Sequence, residues 1–245
     1  MLLEKLVTDL NTGFYKDLDT NFETACEMSE REFTHEELIE LLKNGNIPEK
    51  QIAALRLESI KNENDAKILI GNLTGCDGKI REAVALKINT LLQINKEYAG
   101  FFTHSSETFA YATIDINANI CRLVVDSVEV LKVDKNFTEK YLSKLLTFIE
   151  EAFKELDSFI FRDKKYVINK QLFKLYWCLE ALKLFVDVIE TEKLIQILER
   201  ASKEKEYTIR EKVAQILVLT TNDIFEPLIS ALKSDENYYV REVFK

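Results

Sequence analysis

Proline and glycine are scarce in this sequence, which has two prolines and six glycines among its 245 residues. Turns in β-sandwiches and β-barrels depend on these two residue types, so their scarcity argues against an all-β fold and favours long helices. Hydrophobic residues make up 47% of the chain, which is enough for a sizeable core and too many for a disordered segment. We therefore predict an all-α fold.

Positive charge is also in short supply. The net charge is −9, and residues 1–50 alone carry 12 acidic side chains against 5 basic ones. An acidic surface repels phosphate backbones and gives no attraction to anionic lipids. Nucleic acids and membrane surfaces are therefore not the partners that we expect.

Long uncharged hydrophobic runs are absent. No stretch approaches the ~20 apolar residues that a membrane helix needs. The sequence Met1-Leu2-Leu3 leads at once into Glu4-Lys5, which is not the start of a signal peptide. We expect a cytoplasmic protein.

Residues that carry chemistry are few and scattered. Two histidines, His35 and His104, are isolated, and His35 is predicted to be exposed within a helix cap. No pair of cysteines has metal-ligand spacing, so we predict four buried, reduced thiols at Cys26, Cys76, Cys121 and Cys178. Phosphate-binding glycine loops and nucleophile elbows are missing as well. We expect no enzyme, no catalytic residue, no metal and no cofactor.

The sequence does contain a recurring phrase, in which an apolar residue is followed by Arg and Glu. It occurs as Ile80-Arg81-Glu82, Ile209-Arg210-Glu211 and Val240-Arg241-Glu242, and the last two copies are 31 residues apart. This interval is typical of helical solenoids rather than of catalytic motifs. A second pattern, Leu-Ile-x-x-Leu, recurs from Leu38, Leu194 and Leu228.

The first clear unit begins with a helix cap. Thr34-His35-Glu36-Glu37 has the spacing of a capping box, and an apolar stripe follows it. Asn44-Gly45-Asn46 predicts the end of this helix, and Pro48 suits the first turn of the next one. Pro48 and Ile80 hold equivalent places 32 residues apart, so we predict successive helix pairs.

These residues resemble those of HEAT-repeat proteins, especially the HEAT-like type first named from phycobilisome lyases. The resemblance implies a right-handed α-solenoid of antiparallel helix pairs. It also implies that Asp and Arg side chains form a structural ladder between neighbouring repeats. The residues that match this ladder are Asp77, Arg81, Arg210, Asp235 and Arg241. The first repeat departs from the pattern because Glu49 stands where the arginine belongs.

We predict an acidic N-terminal helical cap over residues 1–33 and a repeat domain over 34–245. The repeats are clear in 34–95 and 191–245 and degenerate in 96–190, where helices are predicted over 114–131 and from Asn136. The chain ends at Lys245, a few residues into its last helix, and an uncapped apolar end there predicts self-association.

Three aromatic residues in the degenerate region, Phe173, Tyr176 and Trp177, have helical spacing. Packing in the core is one interpretation; an exposed anchor for a partner is the other, because Trp and Tyr dominate interface hot spots. Tyr238-Tyr239 has the same ambiguity, and one of the two must face outward.

We expect a non-enzymatic scaffold or adaptor that binds a protein or peptide, with its function in residues 96–190. The family resemblance alone suggests one alternative, a lyase-like, chromophore-handling enzyme. A DNA-alkylation-repeat protein is another, disfavoured by the net charge of −9 but supported by a basic run near Trp177. This run consists of Arg162, Lys164, Lys165 and Lys170.

Overall fold

The computed structural model describes residues 13–158 and 165–245, and it gives side-chain positions for 20–158 and 170–245. Helices and turns account for the ordered structure in these ranges, which contain no β-strand. The predicted all-α class is therefore confirmed. Among the described residues, none of the helices combines the length and apolarity that crossing a membrane requires.

The chain divides into two compact units between Thr108 and Phe109. This division falls inside the region that the sequence analysis assigns to degenerate repeats. Residues 1–12 of the predicted N-terminal cap lie outside the described residues, whereas its remainder forms the first helix of unit 1.

The described helices of unit 1 vary in length from 4 to 18 residues. Its helices are α1 (Gly13–Glu30), α2 (His35–Asn44), α3 (Ile47–Arg56), α4 (Glu63–Ile70), α5 (Gly78–Ile94) and α6 (Ala99–Phe102), with 3₁₀ turns at Lys96–Tyr98 and Thr103–Ser105. Helix α3 packs against both α1 and α5, and α4 packs against both α2 and α6. Each helix therefore contacts the next but one along the chain.

The helix ends of unit 1 follow local sequence signals. The predicted capping box is confirmed at Thr34, whose hydroxyl accepts from the Glu37 amide while the Glu37 carboxylate accepts from the Thr34 amide. Asn46 and Glu49 form a second box at the start of α3. Gly45 links α2 to α3. A larger residue would clash there, because a Cβ would lie 2.5 Å from the carbonyl oxygen of Leu41.

Unit 2 contains longer helices. These are α7 (Ser106–Thr113), which spans the division, α8 (Ala118–Leu131), α9 (Lys135–Ser158), α10 (Lys165–Leu182), α11 (Thr191–Ala201), α12 (Tyr207–Leu217), α13 (Glu226–Lys233) and α14 (Tyr238–Glu242), with 3₁₀ turns at Lys183–Phe185 and Asp223–Phe225. Helix α10 contacts α8, α9 and α12, and α12 contacts α14. The helices predicted over 114–131 and from Asn136 correspond to α8 and α9.

Aromatic rings fill the core of unit 2. Phe137 packs edge-on against Phe109 and stacks on Tyr141, whose ring lies 5.6 Å from that of Phe185. The Tyr141 hydroxyl is fully buried and lies 2.7 Å from the Thr113 hydroxyl. Because Thr113 donates to the Phe109 carbonyl, Tyr141 is the donor to Thr113. Burial raises the pKa of Tyr141, so the phenol stays protonated in the folded chain.

Candidate functional site

An open groove of about 610 Å³ lies in unit 2. Helices α8, α10 and α12 supply the described residues that line it, namely Ala118, Leu172, Phe173, Tyr176, Trp177, Glu206 and Thr208. The structure thus brings all three predicted partner-binding aromatic residues to one concave surface. Four of the lining residues come from α10, which runs between α8 and α12.

The three aromatic side chains pack against one another in the wall of this groove. The Phe173 and Trp177 ring centroids are 6.3 Å apart, and those of Tyr176 and Trp177 are 5.4 Å apart; both pairs meet edge to face. Each side chain is half-buried. They are therefore neither fully buried in the core nor fully exposed, because part of each side chain remains accessible in the groove.

A charged cluster fixes α10 to α12 beside the groove. The Lys212 ammonium lies 2.6 Å from Glu180, 3.0 Å from Gln215 and 4.6 Å from the centre of the Tyr176 ring. Lys183 binds the other oxygen of Glu180 at 2.6 Å. Lys212 is buried, and this cluster was not predicted from the sequence. The sequence gives no local signal for the cluster, because Lys212 directly follows the charged residues Arg210 and Glu211.

The pKa values of this cluster favour the charged forms. Burial opposes the charge of Lys212, but hydrogen bonding and attraction to Glu180 outweigh it, so the pKa of Lys212 is raised. Burial likewise opposes ionisation of Glu180, and its bonds from Lys183 and Lys212 still hold the pKa of this carboxyl below its usual value. Both helices are thus joined by a buried ion pair, which leaves Lys212 unavailable to a ligand.

Apart from Oε2 of Glu180, which is ion-paired with Lys212 at 2.6 Å, two side-chain polar atoms of α10 are buried without a hydrogen-bond partner among the described residues. They are Nε1 of the groove residue Trp177 and Oε1 of Gln171. Buried polar atoms nearly always have a partner, supplied by the protein, by water or by a ligand. The wall of the groove therefore retains unused hydrogen-bonding capacity.

Aromatic surface continues beyond the groove. Tyr207 lies between the lining residues Glu206 and Thr208, and its ring stacks at 5.9 Å on that of Tyr239. Tyr238 meets Tyr239 edge to face, and these two side chains are 54% and 59% exposed. We call Tyr207, Tyr238 and Tyr239 the tyrosine row. Both members of the ambiguous Tyr238-Tyr239 pair face outward, whereas Tyr207 was missed although it precedes Ile209 as Tyr238 precedes Val240.

The arginines of the recurring phrase make equivalent backbone contacts. Arg81 donates to the carbonyl of Gly75 at 2.7 Å, and Arg210 donates to that of Glu204 at 2.9 Å. Arg241 donates to the carbonyl of Asp235. In each case the acceptor lies six residues earlier, so each arginine closes the loop before its own helix.

In the described part of the chain, an ion pair connects the second copy of the phrase with the loop that precedes the third copy. Arg210 binds both carboxylate oxygens of Asp235, with distances of 2.7 and 3.0 Å. Asp77, by contrast, caps its own helix by accepting from the amides of Lys79 and Ile80. Glu49, which replaces the arginine in the first repeat, is occupied by its capping box with Asn46.

Unit 1 contains a second groove of about 670 Å³, with charges of both signs in its lining. Lys87 is half-buried there, and burial lowers its pKa although the charge of Glu58 acts in the opposite direction. His35 also lines this groove and contacts Asp65 at 2.8 Å. The predicted exposure of His35 is wrong, because 15% of its side chain is exposed.

The prediction of four buried cysteines is half correct. Cys121 and Cys178 are buried, whereas Cys26 and Cys76 are exposed. Burial raises the pKa of the Cys121 thiol to about 12.

No group of three or more His, Cys, Asp or Glu side chains suited to a metal ion occurs in the part of the chain that the structure describes. In the predicted basic run, only the exposed side chain of Lys170 is among the described positions.

Comparisons with known proteins identify no family. No protein-family model matches the chain, and no curated protein matches it. A crystal structure of an engineered protein, a target of the Northeast Structural Genomics Consortium, is similar over 85% of this chain and 92% of its own, with 13% sequence identity and a TM-score of 0.45. A similarity this low carries no argument about this chain.

Proposed function

We propose that this protein is a non-enzymatic interaction module that binds an extended segment of another protein in the groove of unit 2. The observation that carries the proposal is the convergence of Phe173, Tyr176 and Trp177 on one open groove. Half-buried aromatic side chains offer a large contact area at a small cost in conformational entropy, which is why they dominate protein interfaces.

We further propose that each unit stacks HEAT-like pairs of antiparallel helices with a right-handed turn. Two observations support this. Helices contact their next-but-one neighbours in both units, as expected where each repeat contributes one helix to each of two layers. In addition, Arg81, Arg210 and Arg241 make the same contact with a carbonyl six residues earlier.

The lining of the groove favours a protein partner over a nucleic acid. Glu206 is the only charged residue among the described lining residues. Binding to a phosphate backbone depends on lysine and arginine contacts. The nearby Lys212 cannot provide one, since it is buried against Glu180.

Ala118 allows a test that leaves the aromatic residues in place. This alanine is exposed and lines the groove, so Ala118→Arg should fill the groove without opening a cavity in the core. We would select peptides from a random phage-displayed library on the natural protein and measure the Kd of the selected peptides by fluorescence anisotropy. We expect Ala118→Arg to weaken their binding by about tenfold or more, in line with a hot-spot effect of about 2 kcal/mol.

Ala231→Arg is the matched control, because Ala231 is also an exposed alanine on a helix of unit 2 but does not line the groove. Both variants should keep the thermal unfolding midpoint of the natural protein. Selected peptides that bind equally well to the natural protein and to Ala118→Arg would contradict the proposed site.

A further inference from the structure

We propose that the groove and the tyrosine row bind a cationic segment, with an arginine side chain in the groove facing Glu206. This inference rests on the proposed function, since it names the chemistry of the segment that the groove would bind. Its basis is the pairing of one carboxylate with aromatic faces in a single concave surface.

The carboxylate of Glu206 is the first part of the argument. It is half-buried in the lining, and among the described residues its side chain accepts one hydrogen bond, a long one of 3.3 Å from the Thr208 hydroxyl. No ion pair to Glu206 occurs in the described part of the chain. The charge of Arg210 attracts this half-buried carboxylate, but no hydrogen bond or ion pair joins the two in the described part of the chain, so a positive group entering the groove would gain free energy beside Glu206.

The aromatic rings are the second part. Guanidinium groups bind favourably over the faces of Trp and Tyr, and their flat shape also stacks on these rings. Tyr176 and Trp177 border the same groove as Glu206. An arginine there would place its charge at the carboxylate and its apolar stem against the rings.

The tyrosine row extends this surface along the partner. Tyr207 follows Glu206 directly, and Tyr239 stacks on Tyr207. Glu236 lies close to this row in the chain and adds a second carboxylate, which is 89% exposed although one of its oxygens lies 3.4 Å from Arg210. A segment with several cationic side chains would therefore find aromatic and acidic groups beyond the groove.

The cations nearest to the groove do not form an ion pair with Glu206 in the described part of the chain. Lys212 and Lys183 are bound to Glu180, and Arg210 is bound to Asp235. Lys170 and Lys205 are exposed and are not among the described lining residues. The groove itself thus keeps one negative charge.

The test uses short fluorescein-labelled peptides of Gly and Ser that carry arginine, leucine or glutamate at every third position, together with a labelled DNA duplex. Anisotropy titrations at near-physiological salt reduce non-specific attraction to the net charge of −9. We expect the arginine peptide to bind most tightly, and Glu206→Gln to weaken it about tenfold, as expected for loss of a charge-assisted contact. Tyr176→Leu should weaken it about threefold.

Glu139→Gln is the matched control, since it removes an exposed carboxylate of α9 that does not line the groove. It should leave the Kd unchanged. Ala118→Arg should abolish binding of the arginine peptide. Thermal unfolding followed by circular dichroism would show that each variant is folded.

The outcomes separate this inference from the proposed function. If the leucine peptide binds more tightly, is blocked by Ala118→Arg and is unaffected by Glu206→Gln, the groove binds a protein segment but the cationic inference is wrong. If the arginine peptide binds equally to the natural protein, Glu206→Gln and Ala118→Arg, its binding is non-specific and the inference fails. Tight binding of the duplex that Ala118→Arg abolishes, or no groove-dependent binding of any peptide, would overturn both proposals.

Discussion

Replacing Asp235 by alanine tests how much the ion pair with Arg210 contributes to the stability of unit 2. The two side chains are 8% and 9% exposed, and Arg210 binds both oxygens of the carboxylate. Asp235→Ala removes the bidentate partner of the buried guanidinium and leaves it the exposed carboxylate of Glu236, 3.4 Å away. It also removes the acceptor of the Asn237 amide, which lies 2.8 Å from Asp235.

Breaking a buried ion pair by removing one partner costs about 3–5 kcal/mol. The cost here should lie below that range, because Arg210 keeps its bonds to the carbonyls of Glu204 and Lys205. We therefore expect Asp235→Ala to lower the free energy of unfolding by about 2–3 kcal/mol. Because the two residues act as a unit, Arg210→Met should add little to Asp235→Ala, with a coupling energy of about 2 kcal/mol.

Urea unfolding gives a direct measurement. The only tryptophan of the chain, Trp177, belongs to unit 2, so its fluorescence reports on this unit, while circular dichroism reports on both. Asp223→Ala is the control, because Asp223 is an exposed aspartate whose side chain makes no ion pair or hydrogen bond with the described residues. The reasoning would be refuted if Asp235→Ala cost less than about 0.5 kcal/mol, the value of an exposed ion pair.

The same pair predicts a pH dependence. Hydrogen bonding from Arg210 lowers the pKa of Asp235 below its ordinary value of about 3.9. A carboxyl with a lowered pKa in the folded state contributes stability that is fully present above the ordinary pKa and is lost as the pH falls through the folded pKa. The difference in stability between the natural protein and Asp235→Ala should therefore be constant from neutral pH to about pH 5 and shrink in acid.

Three further outcomes follow from described contacts. Thr113→Val should lower the free energy of unfolding by about 1–3 kcal/mol, because it leaves the buried Tyr141 hydroxyl without an acceptor. Tyr141→Phe should lower it by only about 1 kcal/mol. Urea unfolding would compare the two variants, and equal losses would contradict this assignment of donor and acceptor. In the folded protein a thiol reagent should modify the two exposed cysteines rapidly and the other two only after unfolding, as peptide mass mapping would show. His35→Ala should lower the free energy of unfolding by about 1–3 kcal/mol, because it leaves the buried Asp65 carboxylate with one fewer partner. If unfolding followed by circular dichroism showed no difference beyond experimental error, this contact would be weak.

Features that depend on neighbouring residues could be predicted from the sequence. The capping box at Thr34, the turn at Gly45 and the start of α3 beside Pro48 all follow from short-range rules. The all-α class follows equally from composition and periodicity. These predictions succeeded because hydrogen bonds within a few residues determine where a helix begins and ends.

Features that depend on distant residues could not be predicted. The groove joins Ala118, Trp177 and Glu206, which lie between about 30 and 90 residues apart in the sequence, so only the aromatic part of its lining had a local signal. The exposure of His35 was predicted wrongly because its partner Asp65 lies on another helix. Cys76 was predicted to be buried from the general behaviour of cysteine, but it lies in the turn before α5, where no helix covers it.

In unit 2, an arginine of the recurring phrase is connected to the groove through its hydrogen bonds to the backbone. Arg210 donates to the carbonyls of Glu204 and Lys205, the two residues directly before Glu206. Its orientation is in turn held by Asp235. The ion pair therefore positions the backbone from which the groove carboxylate projects. A substitution at Asp235 should therefore affect both stability and binding. Without Asp235, Arg210 would hold the Glu204–Glu206 loop less firmly, and a ligand that needs a fixed carboxylate would bind more weakly. An arginine of the recurring phrase thus also helps to position the carboxylate of the proposed binding site.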